Sequence, residues 1–390
     1  MIDAKLSARR SDIDWLRVLA FSLLILYHAG LPYVGWDWHV KDLDRWLALQ
    51  EVMRFVSGWR MPVIFLIAGG TIMLSLGRRT APAFVLDRLK RLLLPLAFGM
   101  LVIVPPQVYF QRLQEGEFEG SFLDFYPHVF DGFYPDGNFS WHHLWFLAYA
   151  LVLALALLPV LLWTRSASGA ALLDRLSAIL ARYRLFMLLA MPLFAVQFFV
   201  APISGVRNVL VGDWYGLAHY GVLMLAGALL YRSPVLLQSL ERQRFGALAI
   251  GVIAYAGLEL GFFSALSTRS HGIAAWLAYC ALSAINLTAW LMAIAGFARR
   301  WAKPTRFLRY ATPAVYPFYI LHQTIAVGVV FYLVQTDLPV ALKYGAVVTA
   351  TFAGCWLLYE FVVRRVAILR PLFGMNPLPP KTDRQSLPAV

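Results

Sequence analysis

One stretch decides the fold: residues 14–28 read DWLRVLAFSLLILYH, and the apolar run continues to Pro32. A helix that crosses the hydrocarbon core of a bilayer needs about 20 mostly apolar residues. The residues before this run are polar, and no small-residue cleavage site follows it. We therefore predict a retained first transmembrane helix and not a removable signal peptide.

Nine further apolar segments follow along the chain. Together the ten segments lie at residues 15–32, 62–76, 92–109, 143–163, 185–203, 214–231, 245–264, 272–297, 313–334 and 339–363. The sequence is 60% hydrophobic and 14% charged, which leaves too few charged residues for the surface of a soluble protein of this length. Strand-like alternation of apolar and polar residues is absent. The prediction is an all-α, polytopic transmembrane bundle of about ten helices.

The charge distribution predicts the orientation of these helices. Most of the 34 basic residues fall in alternate loops, whereas the loop 110–141 is acidic. Its charged residues are Arg112, Glu115, Glu117, Glu119, Asp124, Asp131 and Asp136. Because basic loops remain in the cytoplasm, we expect both termini there, with the chain in a bacterial inner membrane. The net charge of +13 is spread over short loops, which argues against a nucleic-acid partner.

No internal repeat divides the sequence. We expect a single transmembrane domain over residues 1–372 and a disordered cytoplasmic tail at 373–390. Cys280 and Cys355 both fall within predicted spans, which argues against a disulfide framework or a zinc site. No metal is expected.

Arg17 and His28 are the first candidates for chemistry, because ionisable side chains inside a membrane span are costly and usually functional. Eleven positions separate them, which is about three helical turns plus 20° and a rise of roughly 16 Å. Both side chains would thus share one helix face and could line a path through the membrane. Alternatively, Arg17 extends to the interface as an anchor and His28 is a packing histidine.

Arg60 lies in SGWRMPVIFLIAGG, residues 57–70, at the outer end of the second span. An arginine on the outer side runs against the charge bias, although a lipid headgroup contact explains it almost as well. Pro62 suits the first turn of a helix, and Gly69 and Gly70 permit close helix packing.

Histidines recur in the later spans. His142 and His143 open the fourth span in HHLWFL, where interfacial residues of this type are ordinary. His322, in YPFYILHQ at residues 316–323, is the most deeply placed, with Tyr319 and Gln323 beside it. A histidine in the middle of a span is more often functional than structural.

Taken in order, these motifs resemble the acyltransferase-3 family of membrane acyltransferases. They are Arg17-x10-His28, Arg60-Met-Pro, His143-Leu-Trp-Phe-Leu and Tyr319-Ile-Leu-His322, and they span essentially the whole chain. The ending LYEFVVRR with RPLFG, within residues 358–374, resembles the branch that contains glucan biosynthesis protein C, the succinyltransferase of osmoregulated periplasmic glucans. The branch has a second histidine where this chain has Gln323.

The resemblance implies an enzyme that takes an acyl group from cytoplasmic acyl-CoA, either succinyl-CoA or acetyl-CoA. The acceptor would be a hydroxyl of an extracytoplasmic or membrane-bound glycan, and the acidic loop favours a neutral sugar. The resemblance also implies that His28 is catalytic and that Arg17 is needed for activity through the donor. Arg88 and Arg91 are further candidates to hold the donor phosphates.

The chemistry of acyl transfer suggests roles for the remaining candidates. His28 suits a general base near neutral pH. Arg60 or Tyr319 could stabilise the oxyanion of a tetrahedral intermediate. His322 could orient His28, act as a second base or bind the acceptor, and His143 completes the catalytic candidates through its motif.

A transporter or channel is the competing interpretation. Arg17, His28, Glu259 and His322 would then line a proton or solute path, with Glu259 deep in the seventh span. Transporters commonly contain internal repeats with broken helices, and none is visible here. A purely structural scaffold fits poorly with so many ionisable groups in the spans. The sequence leaves the oligomeric state open.

Overall fold

The computed structural model describes residues 10–77, 79–260 and 272–377, and these ranges are mostly helical with no β-strand. The longer helices are α1 (Ser11–Gly30), α2 (Leu47–Ser57), α3 (Arg60–Leu76), α4 (Ala81–Glu115), α5 (Trp145–Ala156), α6 (Ala167–Arg182), α7 (Leu185–Ile203), α8 (Trp214–Arg232), α9 (Pro234–Glu259), α10 (Ile273–Trp301), α11 (Arg306–Leu333) and α12 (Val340–Val363). Shorter helical segments lie at Leu31–Tyr33, Phe122–Phe125, Tyr126–Phe130, His142–Leu144, Leu158–Trp163 and Leu369–Leu372.

Within the described ranges, seven helices are long and apolar enough to cross a membrane. They are α1 extended to Tyr33, α2 and α3 as one span, α4, α7, α10, α11 and α12. Helices α8 and α9 pass the same test together but are bent by 102°, which raises the number to eight at most. The all-α, polytopic prediction is confirmed, whereas the count of ten is not. The predicted fourth span is broken, because α5 ends at Ala156 and a new segment begins at Leu158, beside Pro159.

Three expectations concern residues outside the described ranges. They are the polar N-terminus up to residue 9, the seventh apolar segment beyond residue 260, and the tail from residue 378. The assignment of one domain to residues 1–372 stays a prediction.

The chain divides into two compact units that interleave along the sequence. Unit 1 comprises Met1–Ala20, Glu51–Val85 and Tyr149–Thr312. Unit 2 comprises Phe21–Gln50, Leu86–Ala148 and Pro313–Val390. The first half of α1 thus belongs to unit 1, and its second half belongs to unit 2.

In unit 1, glycines bring α3 and α8 into backbone contact. A Cβ on Gly69 would lie 1.9 Å from the carbonyl oxygen of Met224, and one on Gly227 would lie 1.8 Å from that of Leu66. Any larger residue would therefore push the two helices apart. The close packing predicted at Gly69 is confirmed, and small residues serve this purpose widely in membrane helices.

In unit 2, irregular turns in α4 release a backbone acceptor. The segment Gly99–Ile103 is π-helical, and the backbone N–H of Gln107 donates to Val104 O at 2.8 Å. Because of that bond, Ile103 O does not accept the backbone hydrogen bond from Gln107 that a regular α-helix would have. Ile103 O accepts a hydrogen bond from the Thr324 hydroxyl at 2.5 Å instead. Turns of this kind are frequent at functional sites.

A buried ion pair anchors the loop that follows α1. The Nζ of Lys343, on α12, lies 2.8 Å from Asp42 Oδ2, and both side chains are under 5% exposed. Next to this anchor in sequence, Lys41 donates to the backbone oxygens of Leu31, Val34 and Trp36 at 2.6–2.7 Å. The ion pair holds the loop, and with it His39, against α12, and the Lys41 bonds close the loop on itself.

Candidate active site

The two motif histidines of the first and penultimate helices form a pair in unit 2. The Nδ1 of His28, on α1, lies 2.8 Å from Nε2 of His322, on α11, and the rings stack with their centroids 5.0 Å apart. His322 is fully buried, whereas His28 is half-buried. A ligand therefore has access to His28 and not to His322.

The backbone determines which nitrogen of each ring carries the hydrogen. The Nδ1 of His322 lies 2.7 Å from Tyr319 O, and a carbonyl oxygen can only accept. In the neutral pair, His322 therefore carries its hydrogen on Nδ1 and accepts from His28 through Nε2. His28 donates from Nδ1, which leaves the lone pair of His28 on Nε2.

Tyr319 and His143 fix the helical turn that carries His322. The Tyr319 hydroxyl donates to His143 O at 2.6 Å, and His143 Nε2 donates to Ile320 O at 3.1 Å. The His143 ring meets that of His322 edge-on, with centroids 5.1 Å apart. The structure thus brings together four predicted site residues, His28, His143, Tyr319 and His322. The Tyr319 hydroxyl donates its hydrogen to His143 O. The observed role of Tyr319 is therefore to position the turn that carries His322.

A buried amide network continues from this cluster. Gln323 Nε2 lies 3.0 Å from Gln107 Oε1 and 3.0 Å from His39 Nε2. Gln107 Nε2 in turn lies 2.7 Å from Thr324 Oγ1 and 3.4 Å from His143 Nδ1. Gln107 and Gln323 are almost fully buried. Gln323, where the glucan branch has histidine, joins His39 to the cluster.

His39 ends the network at the loop. Its Nδ1 donates to Gln111 Oε1 at 2.7 Å, and Gln111 Nε2 donates to Glu115 Oε1 at 2.9 Å. Burial lowers the pKa of His39 to about 4, against an opposing effect of the bond to Gln111. Sequence reasoning missed His39, Gln107 and Gln111. The glutamines carried a signal, since their spacing of four puts two amides on one face of an apolar helix.

Arg17 and Arg60 belong to unit 1. The Nη1 of Arg17 lies 3.5 Å from Asp14 Oδ1, and Nη2 lies 3.4 Å from Thr71 Oγ1. Its side chain is 22% exposed and contacts α3 through Thr71. Arg60 is the first residue of α3.

The predicted donor arginines share one carboxylate on α4. Asp87 accepts from Arg88 Nη2 at 2.5 Å and from Arg91 Nε at 2.9 Å. Arg91 also bonds Asn376. The contact of these arginines with a donor stays a prediction.

Glu259 is the last residue of α9, is 27% exposed, and lies 3.4 Å from Arg54 Nη1. Its predicted deep position in a span stays a prediction, because the apolar run continues into residues outside the described ranges. Across the described ranges, no group of three His, Cys, Asp or Glu side chains is arranged to hold a metal ion.

The family model described as an acyltransferase domain, Acyl_transf_3, matches residues 10–360. This range includes all four residues of the cluster around His28. No curated protein and no solved structure matches the chain.

Proposed function

Because the chain belongs to the acyltransferase-3 family, we propose that it moves a succinyl or acetyl group from acyl-CoA to a hydroxyl of an extracytoplasmic or membrane-bound glycan. The chain is a multi-pass membrane protein with an acyltransferase domain. We place it in an inner membrane with both termini in the cytoplasm, on the basis of its charge distribution.

His28 is the general base in this proposal, and its bond to His322 is the observation that carries the assignment. Nε2 of His28 removes the proton of the acceptor hydroxyl, and the oxygen attacks the thioester carbonyl. The tetrahedral intermediate then collapses, the C–S bond breaks, and the proton on His28 Nε2 passes to the departing thiolate. His322 keeps the His28 lone pair on Nε2 and stabilises the imidazolium through its own Nε2.

Arg17 serves the donor in this proposal. The anionic nucleotide end of acyl-CoA is best held by arginines, which pair with phosphate through two donors at once. Arg17 lies on the same continuous helix as His28, on the side of the N-terminus. Arg88 and Arg91 are further candidates, since both carry a guanidinium group and both contact Asp87. Arg60 remains a candidate to stabilise the oxyanion.

The transporter interpretation has less support. It requires Arg17, His28, Glu259 and His322 to line one path, and the observed ion pair of Glu259 is with Arg54. Family membership favours the enzyme.

Thioester turnover by the purified full-length protein tests this function. Thiol release would be followed with succinyl-CoA and with acetyl-CoA, with and without acceptor. We expect His28→Ala to lower the rate by about 100-fold to 10,000-fold, the usual contribution of a general base. His322→Ala should also lower the rate, because the hydrogen of neutral His28 is then no longer held on Nδ1.

His128→Ala is the matched control, because His128 is a 54% exposed histidine in the acidic loop. It should retain the wild-type rate. If His28→Ala worked within a few-fold of wild type, the catalytic assignment would be wrong. If the wild-type protein bound no CoA in calorimetry, a transporter would be favoured instead.

A further inference from the structure

A cavity of about 650 Å³ opens beside the buried amide network, entirely within unit 2. Three segments line it: the loop after α1, the C-terminal end of α4 and the segment that leads into α5. We call it the loop cavity. Its lining includes Asp37, Trp38, His39, Glu115 and Tyr134. The volume suits a small ligand or the end of a longer chain.

The cations of the loop cavity are already engaged. Lys41 donates to three backbone oxygens of its own loop. Arg112 pairs with Glu115 and Glu117, and it donates to Asn138 Oδ1 at 3.0 Å. The second nitrogen of its guanidinium donates to Pro135 O at 2.9 Å and to Gly137 O at 3.1 Å. An anionic ligand would find no cation available to it.

What the loop cavity does present is carboxylate oxygens and aromatic rings. Asp37, Glu115 and Glu117 outnumber Lys41 and Arg112, and His39 is neutral because burial lowers its pKa to about 4. Carboxylates accept hydrogen bonds from hydroxyl groups, while the faces of Trp38 and Tyr134 offer apolar contact. An uncharged molecule with many hydroxyls satisfies both.

The wall of the loop cavity is connected to the histidine pair. His39 faces the cavity and bonds Gln323, which is the residue next to His322 on α11. His142, on the same wall, has a φ of 38°, a strained backbone conformation for a residue other than glycine. Strain of this kind persists where the surrounding structure enforces it, often at ligand sites.

We propose that the loop cavity is the acceptor subsite and that it binds an uncharged, polyhydroxylated ligand, the end of a neutral sugar chain. This inference rests on the proposed function, in which His28 activates an acceptor hydroxyl. Trp38 and Tyr134 hold the sugar, and Glu115 and Asp37 accept its hydroxyls. Gln323 and His39 link occupancy of the subsite to the position of His322.

Protection of an introduced cysteine from labelling tests the subsite without any turnover. Cys280 and Cys355 are buried, so a maleimide would react selectively with Asp37→Cys in the full-length protein in nanodiscs. The probes are five-residue gluco-oligosaccharides with β-1,2, β-1,3, β-1,6 and α-1,4 linkages, and oligogalacturonate of equal length. At ten times its dissociation constant, a bound neutral sugar should slow labelling about tenfold, by mass action.

Asp44→Cys is the matched control, because Asp44 is an exposed aspartate of the same loop that does not line the cavity. Its labelling should be unaffected by any sugar. Trp38→Ala should weaken the protection of Asp37→Cys by the neutral sugars, because it removes a proposed apolar contact with the sugar. Protection by none of the neutral sugars would overturn the subsite, and equal protection by oligogalacturonate would overturn the uncharged class. If the wild-type protein showed no thioester turnover, the proposed function would be refuted instead. The labelling experiment measures sugar binding alone, so the two failures can be told apart.

Discussion

Helices α3 and α8 in unit 1 and helices α1 and α11 in unit 2 both meet closely, but by different means. Gly69 and Gly227 remove side chains, so that backbone packs on backbone. At the second contact, His28 and His322 fill the space with a directed hydrogen bond, and Tyr319 and Gln323 extend it. The glycine contact sets only a distance, whereas the polar contact sets orientation and tautomer. We therefore place the catalytic chemistry at the polar contact, because the orientation of the side chains is specified there.

The largest effect should come from breaking the buried ion pair of unit 2. Asp42→Ala leaves the Lys343 charge buried without its partner, so we expect a loss of about 3–5 kcal/mol in the free energy of unfolding. Unfolding in mixed micelles of mild detergent and dodecyl sulfate measures this loss.

Asp174→Ala in unit 1 is the comparison for that measurement, since its bond to Arg232 is made by a carboxylate that is 68% exposed. Its loss should be about 0–1 kcal/mol. The double change Asp42→Leu with Lys343→Met should recover most of the stability. Equal losses for Asp42→Ala and Asp174→Ala would contradict the buried pair as the anchor of the loop.

The next effect concerns the glycine contact. Gly69→Ala places a methyl group 1.9 Å from Met224 O, and overpacking of this kind costs about 1–3 kcal/mol. The same unfolding titration would detect it. Gly246→Ala, in α9, has no heavy atom within 4 Å of the new methyl group and should gain roughly 0.5–1 kcal/mol from helix propensity. A loss of stability in both variants would show that stability depends on glycine content and not on the contact with α8.

Gln323→Met tests the polar contact in the same way. The change leaves His39 Nε2 and Gln107 Oε1 buried without their donor, and an unsatisfied buried group costs about 1–3 kcal/mol. Thioester turnover should also fall in Gln323→Met, because Gln323 is next to His322 on α11. Gln335→Met is the control, because Gln335 is an exposed glutamine in the turn after α11 that donates to Phe331 O. Full turnover by Gln323→Met would show that the buried amide network is not needed for catalysis.

The last effect is a pH dependence of stability. His39 has a folded pKa of about 4, below the unfolded value of about 6.5. Between these values the unfolded chain binds the proton and the folded protein does not, so stability is complete above about pH 6.5 and falls by up to about 1.4 kcal/mol per unit as the pH drops toward 4. Thermal melts from pH 7.5 to 4 measure the slope. His39→Gln should flatten the curve, and an unchanged slope would assign the dependence to other groups.

Much of the architecture follows from local properties of the chain. Apolar runs predict helices in a bilayer, and the Gly69-Gly70 pair predicts a close helix contact, because both depend on residues near each other in sequence. Span count was less predictable, because apolar runs report length and not where a helix ends within a run, as at Leu157 and at the 102° bend between α8 and α9.

The candidate site divides along the same line. The sequence by itself determined that the protein is an all-α membrane protein of the acyltransferase-3 family and that His28, His143, Tyr319 and His322 are candidates. Only the tertiary structure decided that His28 and His322, 294 positions apart, share a hydrogen bond. It also brought in His39, from a loop with no motif, and separated Arg60 and Arg17 into another unit. Hydropathy and motifs act over a few helical turns, whereas the direction of a hydrogen bond depends on where distant backbone carbonyls come to lie.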